Sequence, residues 1–325
     1  MFQEQDTKRT DDCQDPGRCQ MKKTKKEILI GIGGWEHEVL DHCFYPSGNI
    51  DQARKLALYA EQFDSAEVRP TFWDDSISQG DAVDWTASVA GNPRFRFSVK
   101  LHRSFTHEKK LMPRATRGMR SILHELSRHN KLGAVLAQFP YSFTNTGANR
   151  FYLLKLGEVF SGFPLFVELR HGSWDETGLP EFLCEQRLQP VNVDLPRLRQ
   201  YTSCRADAGD GVAYLRLHGR NEKGWLVNAV DARYDYLYNG REMREIKRRV
   251  DRLSEKADRV FVLFNNTTGG KGVANALQLQ HALQDTRSEH LPASALRAFP
   301  FLQPIAAKET GQTGFLETDE LRRAM

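Results

Sequence analysis

Long apolar runs are missing from this sequence. No stretch approaches the roughly 18 residues that a membrane-spanning helix requires. No apolar core of the secretory-signal kind stands near the N-terminus. Charge of one sign is also scarce: 46 Lys and Arg stand against 42 Asp and Glu, for a net charge of +4. That balance gives no electrostatic case for a nucleic-acid partner. Cysteine is sparse as well. Cys13, Cys19, Cys43, Cys184 and Cys204 are odd in number and widely spaced, without a C-x-x-C pair. Neither a disulfide framework nor a zinc ribbon is expected, although Cys13 and Cys19 lie close enough in sequence to pair. The expected location is a reducing cytoplasm, with no membrane partner.

What is present is ordinary globular material, 40% hydrophobic and 27% charged. Residues 1–26 are rich in Asp, Gln, Lys and Thr and are expected to form a disordered leader, with Met21 as a second start. From Ala306 onward the chain turns polar again, and a loose tail is expected over 306–325, with a short helix near 319–323. One domain is expected over 27–305.

Within it, short apolar runs alternate with helical patterns. The strand candidates are 28–32, 65–68, 95–100, 134–138, 165–168, 191–194, 213–218 and 260–264. Helical stripes fall between them: Leu56, Tyr59, Ala60 and Phe63, with Asn49 or Asp51 as cap; Met119, Ile122, Leu123 and Leu126; Met243, Ile246, Val250 and Leu253; Val273, Ala276, Leu277 and Gln280. The short 194–213 gap holds Pro196 and Gly209 and is expected to lack a full helix. Eight alternating units imply parallel strands and right-handed crossovers. The expected fold is α/β, a closed (β/α)8 TIM-type barrel. A dinucleotide-binding sheet is disfavoured, because Gly31, Gly33 and Gly34 do not complete G-x-G-x-x-G.

Residues two apart on a strand share a face. On that rule, polar residues gather at the strand ends: Glu67 and Arg69; Ser98, Lys100 and His102; Gln138; Glu168 and Arg170; Asn192 and Asp194; Arg216 and His218; then Asn265, followed by Asn266. Strands buried on both faces should instead read as apolar runs. Unpaired burial of such groups would cost a few kcal/mol each, about the penalty of a lost hydrogen bond or more. A shared polar hollow at the C-terminal face, where barrel sites lie, resolves that cost. A closed network of internal ion pairs is the plainer alternative.

The ring suggests chemistry. Arg170, Arg216 and Lys100 suit an anion, and Arg captures carboxylate or phosphate bidentately. Glu168, with Lys100 or His218, is the expected acid–base group. Trp35, Glu67, Gln138, Arg170, Asp194, Arg216, Asn265 and Asn266 are the expected ligand contacts. The glycine-rich turn after Asn265 and Asn266, up to Gly272, is a second candidate anion site, with a plain loop as its equal. Glu67, Glu168, Asp194 and His218 have metal-ligand chemistry, but the cations among them would repel a metal, so none is expected. Aromatics also cluster after strand ends, among them Phe44, Tyr45, Phe72, Trp73, Trp174, Trp225, Tyr234, Tyr236 and Tyr238. They suit a planar ligand or packing onto the barrel top.

The motifs Gly33-Gly34-Trp35, Phe44-Tyr45-Pro46, Thr71-Phe72-Trp73, Phe97-Ser98-Val99-Lys100 and Leu136-Ala137-Gln138-Phe139-Pro140 resemble the YecE-like family, also called domain-of-unknown-function family seventy-two. So do Val167-Glu168-Leu169-Arg170-His171, Tyr214-Leu215-Arg216-Leu217-His218-Gly219-Arg220 and Phe264-Asn265-Asn266. The resemblance runs from Ile28 to Leu283. It implies a TIM-type barrel and supports the polar ring as a shared feature. It implies no activity, substrate or cofactor.

Three readings follow. The first is a protein that binds a small anionic or phosphorylated molecule at the barrel mouth, with acid–base catalysis there. The second is a metal-assisted phosphodiesterase or nucleic-acid-processing enzyme. The third is a ligand-binding or interaction protein without chemistry. No cofactor is identified.

Overall fold

The computed structural model describes residues 26–306, apart from 177, 199, 203–205 and 228–229. The expected leader up to 25, the tail from 307 with its helix, and Cys13, Cys19 and Cys204 lie outside the described residues.

Eight strands close into one parallel barrel in chain order. They are β1 (Glu27–Ile32), β2 (Ser65–Val68), β3 (Arg96–Lys100), β4 (Leu132–Gln138), β5 (Leu165–Glu168), β6 (Leu188–Asp194), β7 (Val212–Leu217) and β8 (Arg259–Phe264). β8 pairs back onto β1 from Glu27 opposite Arg259 to Ile32 opposite Phe264, which removes both sheet edges. The β1–β2 seam is the tightest place. A Cβ on Gly31 would lie 1.7 Å from the Ser65 carbonyl oxygen, so only glycine lets the strands meet there.

The outer layer is helical: α1 (Gln52–Gln62), α2 (Gln79–Ser88), α3 (Pro113–Arg128), α4 (Gly147–Val159), α5 (Leu179–Glu185), α6 (Gly240–Lys256) and α7 (Lys271–Ala282). Each follows its strand, except after β6. Among the described residues no helix lies between Asp194 and Val212. Local chemistry sets the helix starts. Asp51 caps α1 by accepting the Arg54 amide at 2.7 Å. Asn239 and Glu242 make a reciprocal capping box at α6. That helix buries Met243, Ile246, Val250 and Leu253 on one stripe, against β7 and β8.

Two apolar layers result. The outer faces of the strands pack under the helices through Val68, Val99, Val135, Val167, Leu215, Val262 and their neighbours. Inside the barrel, Leu29, Ala134, Leu136, Phe166, Tyr214, Phe261 and Leu263 fill the lumen. Burying a side chain of this size contributes about 1.5–3 kcal/mol. The lumen is therefore a plug, and what lies above it at the strand C-termini forms the floor of the mouth. No helix among the described residues is long and apolar enough to cross a membrane.

Candidate functional site at the barrel mouth

The two-residue strand period places the next layer directly above the apolar plug. Tyr214 of β7 is in the plug, and Arg216 and His218 follow it on the same face. Phe166 of β5 leads in the same way to Glu168 and Arg170, and Leu136 of β4 leads to Gln138. Glu67 is the third residue of β2, Lys100 ends β3 and Asn265 follows β8.

Arg216 is the centre of this layer. Its Nε donates to Glu67 Oε2 at 2.9 Å and its Nη2 donates to Glu67 Oε1 at 2.8 Å. Its Nη1 donates to Glu168 Oε2. Glu168 Oε1 in turn accepts from Arg170 Nε at 2.8 Å. Both carboxylates are almost wholly removed from water. Desolvation of buried ions is offset only when geometry is near ideal, and the two-point Arg216–Glu67 pairing meets that condition. Burial would raise the Glu168 carboxyl pKa, but Arg216, His218 and Arg170 overturn that and hold it well below the usual carboxylate range. Ser98 and Tyr214 share a hydrogen bond of 2.7 Å beneath the pair.

His218 is sealed from solvent. Burial pushes its pKa down to about 4, against the pull of Glu168. It is therefore neutral at pH 7. Asn265 Nδ2 lies 3.0 Å from Nδ1. With that amide as donor, Nε2 carries the proton, and it sits 3.2 Å from Glu168 Oε1.

Lys100 differs from every other charge in the layer. Its Nζ stands 3.9 Å over the Phe72 ring. It makes no hydrogen bond or ion pair with a described residue, and it is not sealed from solvent. Burial drives its pKa down to about 7; Arg216 and Arg170 push the same way, and Glu67 and Glu168 oppose them. Arg170 is half spent in a similar sense. Nε is taken by Glu168, while neither terminal nitrogen bonds to a described residue or is closed off from solvent. Its guanidinium lies 5.5 Å from the Trp225 ring centre. Around these two cations stand Phe72, His107, Tyr141, His171, Tyr201 and Tyr234, joined by ring contacts of about 5–6 Å along Tyr141, Tyr201, Trp225 and Tyr234.

The structure thus brings Glu67, Lys100, Gln138, Glu168, Arg170, Arg216, His218 and Asn265 to the lumen face. Gln138 spends its side-chain amide on the Phe139 carbonyl at 2.8 Å.

Three expected ligand contacts stand elsewhere. Asp194 points outward, because β6 turns Val191 and Val193 towards the lumen. It accepts from Arg220 Nε and Nη2, both at 2.8 Å, and from the Tyr238 hydroxyl at 2.9 Å. Trp35 is buried between Trp85 and Phe97, each with its ring centre 5.9 Å away, outside the barrel wall. Asn266 donates to the Tyr236 carbonyl at 2.8 Å and to Asn275 at 3.0 Å, tying the loop before α6 to α7. Its side chain faces the helices because its neighbour Asn265 faces the lumen.

The glycine-rich turn has a packing cause. Gly270 has φ +72°, and a Cβ there would lie 2.2 Å from Cys43 Sγ. Its amide is taken by the Thr267 carbonyl at 3.0 Å, and Lys271 pairs with Asp235. Among the aromatics, Phe44, Tyr45, Trp174 and Tyr238 are core, while Phe72, Trp225 and Tyr234 border the mouth. Among the described residues, no three His, Cys, Asp or Glu side chains are placed to hold a metal ion. Tyr214, His107 and Tyr201 are not among the expected site residues. The two-residue phase that gave Arg216 also leads to Tyr214, whereas only tertiary contacts reveal the other two.

Fold and mouth together define a TIM-type barrel protein with a charged, aromatic-rimmed C-terminal face. The chain belongs to the family described as "Protein of unknown function DUF72", whose model matches residues 29–297. This is the family that the motifs resemble. The UPF0759 protein YunF of Bacillus subtilis (strain 168) is 28% identical over 279 residues, covering 79% of this chain and 94% of that protein. The crystal structure of a DUF72 family protein from Thermotoga maritima MSB8 is 30% identical with a TM-score of 0.71, covering 80% of this chain and all of that one. A second, from Enterococcus faecalis V583, is 26% identical with a TM-score of 0.68, covering 79% of this chain and 95% of that one.

Proposed function

We propose that the barrel mouth binds a small anionic or phosphorylated molecule, held by Arg170 and Lys100, and that Lys100 is the group that exchanges protons with it. One observation carries this reading. Glu67 and Glu168 are already matched by Arg216 and Arg170, so the Lys100 ammonium has no carboxylate of its own. A protonated Lys100 makes the mouth electropositive, and the two open nitrogens of Arg170 offer a fork for carboxylate or phosphate oxygens. The aromatic border supplies apolar walls for the rest of such a molecule.

Glu168 fits the acid–base role poorly. Two guanidinium groups hold it as a carboxylate, so it serves as a fixed negative charge that positions Arg170. Lys100, titrating near neutrality, suits proton transfer at physiological pH. A cytoplasmic setting agrees with Cys43 and Cys184, both free thiols.

The test is titration of inorganic phosphate by calorimetry at pH 6. Wild type should bind, and both Arg170→Met and Lys100→Met should weaken binding by about tenfold or more, the size of one lost charge-assisted hydrogen bond. Equal affinity in all three proteins would remove the reading.

A further inference from the structure

We propose that the Lys100 amine condenses with the carbonyl carbon of an anionic substrate to form an imine, so that the substrate class is a small oxo acid or a phosphorylated aldehyde or ketone. This rests on the anion-binding reading and adds the reacting group to it.

Three features of the mouth point to a nucleophile and not to a fixed cation. First, Lys100 Nζ is free of hydrogen bonds and ion pairs to described residues, so no contact need be broken before it attacks. Arg216, on β7 across the barrel, shows the opposite design, with all its donor edges committed to carboxylates. Second, Nζ lies against the Phe72 ring face, so its approach to a carbonyl comes from the open side of the mouth. Third, Arg170 keeps a permanent charge for the anionic group, so the amine need not stay protonated to hold the ligand. Desolvation beside two guanidinium groups favours the neutral amine, which is the reactive form.

The step balances with one proton taken up from solvent at the mouth. The nitrogen lone pair forms the N–C bond, and the carbonyl π pair moves to oxygen, which takes the proton that the nitrogen gives up, leaving a neutral carbinolamine. The hydroxyl then leaves as water with a further proton, and the C=N bond forms. A protonated imine keeps one positive charge at the position that the ammonium held. His107 shares the Phe72 ring with Lys100, at a ring distance of 5.0 Å, and burial and the nearby cations bring its pKa down to about 4. It is a neutral imidazole at the exposed rim, on the same aromatic ring as Lys100. The apolar plug beneath and the aromatic border limit water around the imine.

The experiment treats the wild-type protein with sodium cyanoborohydride and either pyruvate or dihydroxyacetone phosphate, followed by proteolysis and peptide mass spectrometry. The reduced adduct should appear on Lys100 at more than ten times the level on any other lysine. Excess inorganic phosphate should suppress it. Lys100→Arg should show no selective adduct, and because the mapping is done on wild type the result does not depend on that variant folding. Labelling of Lys100 no greater than that of surface lysines, with both carbonyl compounds, overturns the imine. Phosphate titration of the same preparation then separates the two ideas: retained phosphate binding leaves the anion site standing without the imine, and absent phosphate binding removes both.

Discussion

Arg216 grips both oxygens of Glu67, at 2.9 and 2.8 Å, and spends its last nitrogen on Glu168. One guanidinium thus links β2 to β5 from its place on β7, across the top of the apolar plug. Removing it would strand two carboxylates in the driest part of the mouth, although Glu168 keeps Arg170. Arg216→Met should lose about 3–5 kcal/mol of stability, the range for breaking a buried pair from one side. Arg216→Lys should fail similarly, since one ammonium cannot span both partners. Denaturant midpoints of the two variants check this. A loss below about 1 kcal/mol, the scale of an exposed pair, would show that the network is not what closes the lumen.

Lys100 should give stability a distinctive pH dependence. Its pKa is about 7 folded, against an ordinary 10.5. Between these values the unfolded chain holds a proton that the folded protein has released. Stability therefore rises with pH from about 7 to about 10.5, and is lost again as pH falls back through that window. The slope approaches about 1.4 kcal/mol per pH unit for one full proton. The groups facing Lys100 are Glu67, Glu168, Arg170, Arg216 and His107; Glu168 and the two arginines keep their charge across this range, and His107 is neutral throughout it. The difference in unfolding free energy between wild type and Lys100→Met, followed by urea melts from pH 6.5 to 9.5, isolates the effect. Parallel curves for the two proteins would mean that Lys100 is charged in the fold.

Gly31→Ala tests the seam of the barrel. The new methyl would sit 1.7 Å from the Ser65 carbonyl oxygen, a backbone atom held by the β1–β2 ladder. Neither strand can move alone, because β1 is also zipped to β8 along its length. The expected loss is at or above the top of the about 1–3 kcal/mol usual for overpacking. Thermal melting of the variant at wild-type temperature would contradict the close approach.

The barrel was readable because each strand is short, apolar and bounded by polar chain. The expected and observed limits of β2 and β5 coincide, at 65–68 and 165–168. β6 begins earlier than expected, at Leu188, since Pro190 disguises the extension. The same strand misled the site reading. Alternation tells which residues share a face, but not which face is the lumen. On most strands the polar set points inward. On β6 the polar set points outward instead, and Asp194 meets Arg220, Tyr238 and Arg249 of α6 there. Roles within the mouth were harder still. Glu168 and Lys100 carry equal weight as residue types, and only the partners of Arg216 and Arg170 show which of the two is left uncommitted.

Two residues set apart from the mouth provide the control. Trp35 lies under α2 with Trp85 and Phe97, and Asp194 braces the β6–β7 side through Arg220 and Tyr238. Neither touches Lys100 or Arg170. Trp35→Ala should cost about 3–5 kcal/mol, as large aromatic truncations do, and Asp194→Asn should cost about 1–3 kcal/mol by weakening charge-assisted hydrogen bonds. Both should bind inorganic phosphate as wild type does, at a temperature where they remain folded. Arg170→Met should show the reverse pattern, with binding impaired more than stability, because Glu168 retains Arg216. Stability is read by denaturant melts and binding by calorimetry on the same samples. Loss of phosphate affinity in folded Trp35→Ala or Asp194→Asn would move the anion site away from the lumen and towards the outer wall.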